Sequence, residues 1–271
     1  MVLKVIMERS DFMSIEKMNK KCSMTIAGLD PSGGAGIIAD CKTFHAHGIY
    51  ATCVVTAVTA QNPYCVTGID GVDLDLIESE IDEILSVYPI RYIKTGMLYS
   101  GDIIKLVSRK IKEYDLRAVV DPVMVSESGG DLTGNSFIEY MNKYLVKNSF
   151  IITPNIHEAE KLSNKTITSE EDMISVAEKL SKDNSVVITG GHMQGNDILY
   201  CDDEIFRIEG KLINSDNTHG TGCTYSSAIT SRLIEGYNLY ESCKKSNEFI
   251  RNSIKYGFNK TPYQFWKNIE F

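Results

Sequence analysis

Apolar residues recur along this chain in short blocks, and their spacing switches repeatedly between the periods of strand and helix. Met24–Leu29 (MTIAGL) is an apolar run that breaks into Asp30-Pro31-Ser32-Gly33-Gly34, the pattern of a buried strand entering a glycine turn. From Ala35 onward, Ile37, Ile38, Cys41 and Phe44 fall at helical spacing, and Gly48 supplies the stop. Ala51–Ala60, rich in β-branched and short side chains, predicts a second buried strand. Leu74–Val87 places Leu76, Ile77, Ile81, Ile84 and Leu85 on one helical stripe. The alternation continues with a strand at Tyr92–Thr95, a helix at Ile103–Tyr114 and a strand at Arg117–Asp121. A helix at Phe137–Val146 and a strand at Ser149–Thr153 precede two helices, Asn155–Leu162 and Glu170–Leu180, and the strand Ser185–Thr189. Ile198–Cys201 and Glu204–Ile208 read as a hairpin around Asp202-Asp203, and Gly220–Ile234 and Leu239–Tyr256 as the last helices.

Strands alternating with helices specify the α/β class, with a mainly parallel sheet and helices on both faces. No long linker or internal repeat divides the chain, so residues 23–271 are expected to form one domain. Residues 1–22 alternate short apolar pieces with charge and read as an extension, either a disordered tail or an upstream start with Met18 as an internal one. Ligands of such sheets bind beyond the carboxyl ends of the strands. Asp30, Gln61, Gly96, Asp121, Asn155 and Gly190 all follow strand ends and are therefore expected on one edge.

Composition narrows the function. A net charge of −8 with no compensating Lys/Arg block argues against general nucleic-acid binding, so any anion must be met by local devices. The seven cysteines are odd in number, irregularly spaced and without a CxxC pair, which supports neither a zinc ribbon nor a disulfide framework. That usage fits a reduced, cytoplasmic protein. No apolar run is long enough to span a membrane.

The richest stretch is Asn214–Ile229 (NSDNTHGTGCTYSSAI), a loop running into a helix with Gly220 and Gly222 at the junction. Glycine lets backbone N–H groups converge there, and the first N–H groups of a helix have no internal partner. Such a turn suits a phosphate or a developing oxyanion, although it can equally serve only to start the helix. Cys223 lies inside it, where N–H groups facing the sulfur would depress its pKa. His219 beside Cys223 invites a Cys/His nucleophile, but such pairs are usually distant in sequence, so a phosphate-facing or backbone-orienting role is preferred. Gly34-Ala35-Gly36-Ile37-Ile38-Ala39 matches a dinucleotide pattern, yet the next strand ends Gln61-Asn62 without the acidic residue that pattern requires. No Walker-type loop exists. Asp121 is a strand-end carboxylate that could equally form a turn. Asn155 and Glu158 lie three apart at a helix start, as a capping box or as an oxygen pair ordering hydrated Mg²⁺, with Glu158 acting through water.

Taken together, TIAGLDPSGGAGIIADCKTF (Thr25–Phe44), TAVTAQN (Thr56–Asn62), IKTGML (Ile93–Leu98), VVDPVM (Val119–Met124), TPNIHEAE (Thr153–Glu160), TGGH (Thr189–His192) and NTHGTGCT (Asn217–Thr224) resemble the hydroxymethylpyrimidine/phosphomethylpyrimidine kinases of thiamine biosynthesis. These have the ribokinase-like fold, a three-layer α/β/α sandwich shared with pyridoxal kinases. The resemblance spans about Met24 to Gly257 and implies ATP and Mg²⁺ as cofactors, a pyrimidine alcohol as substrate and a homodimer. It implies a pyrimidine pocket of Gly28, Asp40, Gln61, Met97 and Val123, in which the Gln61 amide pairs with the ring edge and Met97 and Val123 sandwich the ring. It implies an anion hole of Gly220, Thr221, Gly222 and Cys223, with Cys223 where sugar kinases of this fold carry an Asp base. Asp121, Asn155, Thr189, Gly191 and His219 would face the nucleotide, and Glu158 the metal. The chain departs from the family at Thr189, where a Lys is common, and at Glu127, where a Lys commonly precedes Ser128-Gly129. Lys94 and Lys211 are the candidates to replace those charges. Pyridoxal kinase is the alternative within the class, and a ligand-binding protein that has lost turnover is the alternative outside it.

Overall fold

The computed structural model describes residues 21–124, 135–182, 184–191 and 195–265. Most of the expected extension therefore lies outside the described residues, but its last position does not: β1 (Cys22–Leu29) already begins at Cys22. Among the described residues, nine strands form one sheet in the order β3-β2-β1-β4-β5-β6-β7-β8-β9. The others are β2 (Tyr50–Asn62), β3 (Cys65–Gly71), β4 (Tyr92–Thr95), β5 (Arg117–Val120), β6 (Ile151–Ile152), β7 (Ser185–Ile188), β8 (Asp197–Cys201) and β9 (Glu204–Ile208). The centre from β2 to β7 is parallel, and an antiparallel strand or hairpin closes each side.

The helices are α1 (Gly36–Ala46), α2 (Leu74–Val87), α3 (Gly101–Glu113), α4 (Asn135–Tyr140), α5 (Ile156–Ser163), α6 (Glu170–Leu180), α7 (Thr221–Glu235) and α8 (Leu239–Lys255). One face of the sheet packs Ile77, Ile81, Ile104, Val107, Met141 and Val176 against Ile26, Ile93 and Val120. On the other face Tyr225, Ile229 and Ile250 meet Val119, Ile151 and Val187. The result is the expected three-layer α/β/α arrangement.

Three local expectations change. The β2 strand is not buried throughout: Val58 is 47% exposed, because only the short antiparallel β3 lies outside it. The β3 strand, with Gly68 and Gly71, carries too little apolar periodicity to be read from sequence. The predicted helix Phe137–Val146 instead passes from α4 into a π-helical turn at Met141–Leu145 and a 3₁₀ turn at Val146–Asn148. By contrast the β8–β9 hairpin turns at Asp202 and Asp203, both with positive φ, as a two-residue hairpin turn requires.

Candidate active site

The carboxyl ends of β1, β4 and β5 and the starts of α1 and α7 meet over the middle of the sheet. At the end of β1 the pairing with β2 slips between Ala27 and Leu29, at Gly28. A Cβ on Gly28 would lie 2.3 Å from Met97 Cε, so the missing side chain is what lets Met97 cover this position. Gly28 and Met97, both placed in the pyrimidine pocket by the resemblance, are therefore neighbours. Val123 follows Asp121 in a tight turn closed by the Val123 N–H to the Asp121 carbonyl, 2.8 Å, and is partly accessible.

Asp30 organises the glycine turn after β1. Its carboxylate accepts from the N–H groups of Ser32 (2.8 Å) and Ala35 (2.9 Å) and from His219 Nε2 (2.8 Å). Burial alone would raise its pKa, but these hydrogen bonds outweigh burial and hold the carboxyl below its usual range. The bond fixes His219 Nε2 as a donor. Gln61 Nε2 lies 3.4 Å from that nitrogen, a meeting of two donors, while Gln61 Oε1 accepts from Thr59 Oγ1 at 3.3 Å. Sequence assigned His219 to the nucleotide; the structure places it between Asp30 and Gln61. Asp30 itself was read only as a strand-end residue, and its role in the turn depends on a partner 189 positions away.

Most helices with a described N-cap have a side chain there: Asp73, Ser100, Asn155, Ser169 and Asn238 accept N–H bonds from the first turns of α2, α3, α5, α6 and α8. The N-caps of α1 and α7 are Ala35 and Gly220, with no side-chain bond; the Gly36 N–H goes to Cys223 and the Thr221 N–H to the Thr218 carbonyl (3.1 Å), which leaves the next N–H groups, of Ile37 and Ile38 in α1 and of Gly222 and Cys223 in α7, to meet a ligand. Gly220 has φ +87°, and a Cβ there would stand 1.9 Å from the Gly34 carbonyl oxygen, so the two helix starts touch through glycine backbone. Cys223 lies between them and receives the Gly36 N–H.

The expected depression of the Cys223 thiol does not occur. Burial pushes it up to about 12; Lys94 and the Gly36 N–H pull it down, but Asp40 and Asp121 add to the rise. Desolvation and two carboxylates outweigh the helix start, and the sulfur is a neutral thiol at physiological pH. Asp121 lies under the same turn, where a Cβ on Gly222 would be 3.4 Å from its Oδ2 and where Ser226 Oγ donates across 3.4 Å.

Two expectations about charge are corrected here. Asp40 does not line the pocket; it is fully buried below it, accepting from Thr25 Oγ1 (2.6 Å), Ser227 Oγ (2.8 Å) and Lys94 Nζ (3.0 Å). Lys94 is equally buried in that pair and cannot stand in for a phosphate-facing lysine. Lys211 remains available: it is exposed, and its backbone lies 3.1 Å from where a Cβ on Gly195 would be, at the close of the Gly190–Gly195 turn. Glu127, Ser128, Gly129 and His192 lie outside the described residues.

Among the residues the resemblance assigns to the nucleotide, Thr189 bridges to Asn155 beside the exposed Gly191. Asn155 and Glu158 form the capping box, Asn155 Oδ1 accepting from Glu158 N and Glu158 Oε2 from Asn155 N, both at 2.9 Å. Asp197 holds the adjoining turn by accepting from Gly190 N (3.1 Å), Tyr225 OH (2.9 Å) and Asn247 Nδ2 (2.8 Å). Among the described residues no three His, Cys, Asp or Glu side chains form a metal cage. A Mg²⁺ held mainly by nucleotide phosphates and waters, with Glu158 reached through water, fits this donor set. The segment after α8 completes the site: Gln264 Nε2 donates to Thr224 Oγ1 (3.1 Å), and the His219 N–H to the Lys260 carbonyl (2.9 Å). A cavity of about 590 Å³ opens between this segment, the Gly33 turn and the β2–β3 tip, lined by Ser32, Lys42, Asn62, Tyr64, Phe258 and Tyr263.

A family model described as phosphomethylpyrimidine kinase matches residues 30–265. A hydroxymethylpyrimidine/phosphomethylpyrimidine kinase of Bacillus subtilis is 36% identical over 240 residues, covering 86% of this chain and 89% of that one. Among solved structures, a phosphomethylpyrimidine kinase from Clostridium difficile 630 superposes with a TM-score of 0.77 at 38% identity, covering 87% of this chain and all of that one. A Bacillus subtilis pyridoxal kinase in complex with ADP superposes with a TM-score of 0.80 at 34% identity, over 88% and 93% of the two chains.

Proposed function

The chain belongs to the phosphomethylpyrimidine kinase family, and from that premise we propose how its site works and on what. It phosphorylates the hydroxymethyl group of 4-amino-5-hydroxymethyl-2-methylpyrimidine and then the resulting monophosphate, in thiamine biosynthesis. ATP is the donor, as the ADP complex of the pyridoxal kinase relative supports. The observation that carries the reading is the 3.4 Å approach of Gln61 to His219, the residue immediately before the Gly220 turn. It sets a side chain able to pair with an aminopyrimidine edge next to two helix starts that can hold the transferring phosphoryl group.

In this reading Met97 and Val123 hold the ring, and the N–H groups of Gly222 and Cys223, with those of Ile37 and Ile38 at the start of α1, stabilise charge on the phosphoryl oxygens. Phosphoryl transfer depends mostly on positioning and charge stabilisation. Mg²⁺, when bound with the nucleotide, neutralises phosphate charge; Glu158 orients it through water. A cytoplasmic location and a homodimer belong to this proposal on the strength of the resemblance.

An ADP-release assay with the pyrimidine and with pyridoxal tests it. Steady turnover is expected, with kcat/KM about tenfold or more in favour of the pyrimidine. A preference for pyridoxal would move the chain to the sister activity. Binding of the pyrimidine without ADP release would instead make it a binding protein.

A further inference from the structure

Lys94 sits in the middle of the sheet with no exposure to solvent. Its ammonium is 2.9 Å from Asp40 Oδ1 and 3.0 Å from Oδ2, and Asp40 is also satisfied by Thr25 and Ser227. As a stabilising device this pair is unremarkable, since a buried ion pair often does no better than apolar side chains of the same volume. What sets it apart is a second carboxylate. Asp121 Oδ2 lies 3.9 Å from the same Nζ and is itself nearly fully buried. The chain also keeps space for the ammonium to reach this level: a Cβ on Gly96 would lie 2.9 Å from Lys94 Nζ.

Four groups from three elements face Asp121: Lys94 from β4, Asp40 from α1, and Cys223 and Ser226 from α7. Of the two carboxylates on Lys94, Asp121 is the one that lies under the Gly222 turn and takes a hydrogen bond from Cys223. Burial raises the Asp121 pKa, Lys94 opposes that rise, and Asp40 adds to it, with a result near 6.

We propose that Lys94 is a positioning residue for phosphoryl transfer: it keeps Asp121 ionised at the foot of α7, so that Cys223 can pass on the proton it receives from the attacking alcohol. The inference rests on the kinase reading above. As the alcohol oxygen bonds to the γ-phosphorus, its O–H proton moves to Cys223 Sγ and the former S–H proton moves to an Asp121 oxygen. The bond from the γ-phosphorus to the bridging oxygen breaks, and its electron pair leaves with ADP. The thiol is neutral before and after, so its high pKa is no obstacle. Asp121 then releases its proton to solvent before the next turnover.

The test is Lys94→Met, with the acid limb of kcat followed against pH. In the wild type the limb is expected near the Asp121 value; in the variant it should move up by about one unit or more, the scale of an opposite charge lost at this distance. KM for the pyrimidine should stay within about twofold, because ring binding is not touched. Should Lys94→Met fail to fold around the bare Asp40, Lys94→Met/Asp40→Asn removes both charges, and a smaller upward movement is expected because Asp40 also acts on Asp121. Carbon-13 NMR of aspartate-labelled protein reads the Asp121 titration without turnover and should move in the same direction. A folded variant whose acid limb and Asp121 titration both coincide with wild type would overturn the proposal, leaving Lys94 as a partner of Asp40 alone. Failure of the wild type to turn over either alcohol would instead sink the kinase reading, and the NMR titration would still judge the hold of Lys94 on Asp121.

Discussion

The sulfur of Cys223 is subject to opposing fields. Burial, Asp40 and Asp121 favour the thiol, whereas Lys94 and the Gly36 N–H favour the thiolate, and the first group wins. A group that holds its proton this firmly is a poor base acting alone and a serviceable carrier when a carboxylate stands behind it. Cys223→Ala should therefore lower kcat on the order of 100-fold with little change in KM, while Cys223→Ser, whose hydroxyl can also accept and donate, should keep more of the rate. Single-turnover rates for both variants check this; near-normal kcat in Cys223→Ala would assign catalysis to the N–H groups instead. At this scale the sequence was partly legible. Gly28 lies against Met97, and Gln61 against His219 at the Gly220 turn, so residues the resemblance named from separate stretches stand beside each other. Asp40 and Lys94 were misplaced because motif position does not report depth. Yet a signal existed: Asp40 lies three residues after Ile37 and four before Phe44, on the buried face of α1, and Lys94 interrupts the apolar strand YIKT. Charges on core positions demand partners, and those partners come from elements distant in sequence.

At the level of elements, the site depends on how closely the starts of α1 and α7 approach. Gly220 meets two separate restrictions, a left-handed backbone at φ +87° and the Gly34 carbonyl oxygen 1.9 Å from any Cβ. Gly236, at the other end of α7, has φ +100° and nothing within 4 Å. Gly236→Ala should therefore show backbone strain alone, about 1–2 kcal/mol. Gly220→Ala should cost more, with a Tm lower than that of Gly236→Ala by roughly 4 °C or more if the clash adds about another 2 kcal/mol. Calorimetric melts of the two variants separate strain from collision; equal Tm values would mean that the helix starts can part without cost. The same contrast explains what could be read in advance. Helix and strand positions followed from periodicity across nearly the whole chain, down to the shared bounds of α2 and β4. The β3 strand and the segment after α8 were not seen, because three of the seven residues of the first are glycine or acid and the second is held by single bonds such as Gln264 to Thr224.

For the whole molecule the difficulty is binding a polyanion with a chain of net charge −8. The net charge offers no long-range attraction, so on the proposed reading affinity would come from the helix starts, Lys211 and the cation bound with the nucleotide. These are short-range devices that act only on the folded state, and they couple binding directly to stability. ADP with Mg²⁺ at about 100 times its Kd should add roughly 2.7 kcal/mol. For a chain of this size that is a Tm rise of about 5–10 °C. On the proposed reading the pyrimidine binds a different part of the site, on Gln61, Met97 and Val123, which do not require the nucleotide to be in place, so its increment should add to that of ADP. Gly220→Ala, where it folds, should lose most of the ADP increment and retain most of the pyrimidine increment. Thermal melts with each ligand alone and with both decide the matter. A pyrimidine increment that vanishes together with the ADP increment would show that one set of residues holds both ligands, contrary to the proposed division between Gln61, Met97 and Val123 and the N–H groups of the helix starts. Additive increments accompanied by steady ADP release would leave the binding-protein alternative without support, since that alternative shares every stabilising contact and differs only in turnover.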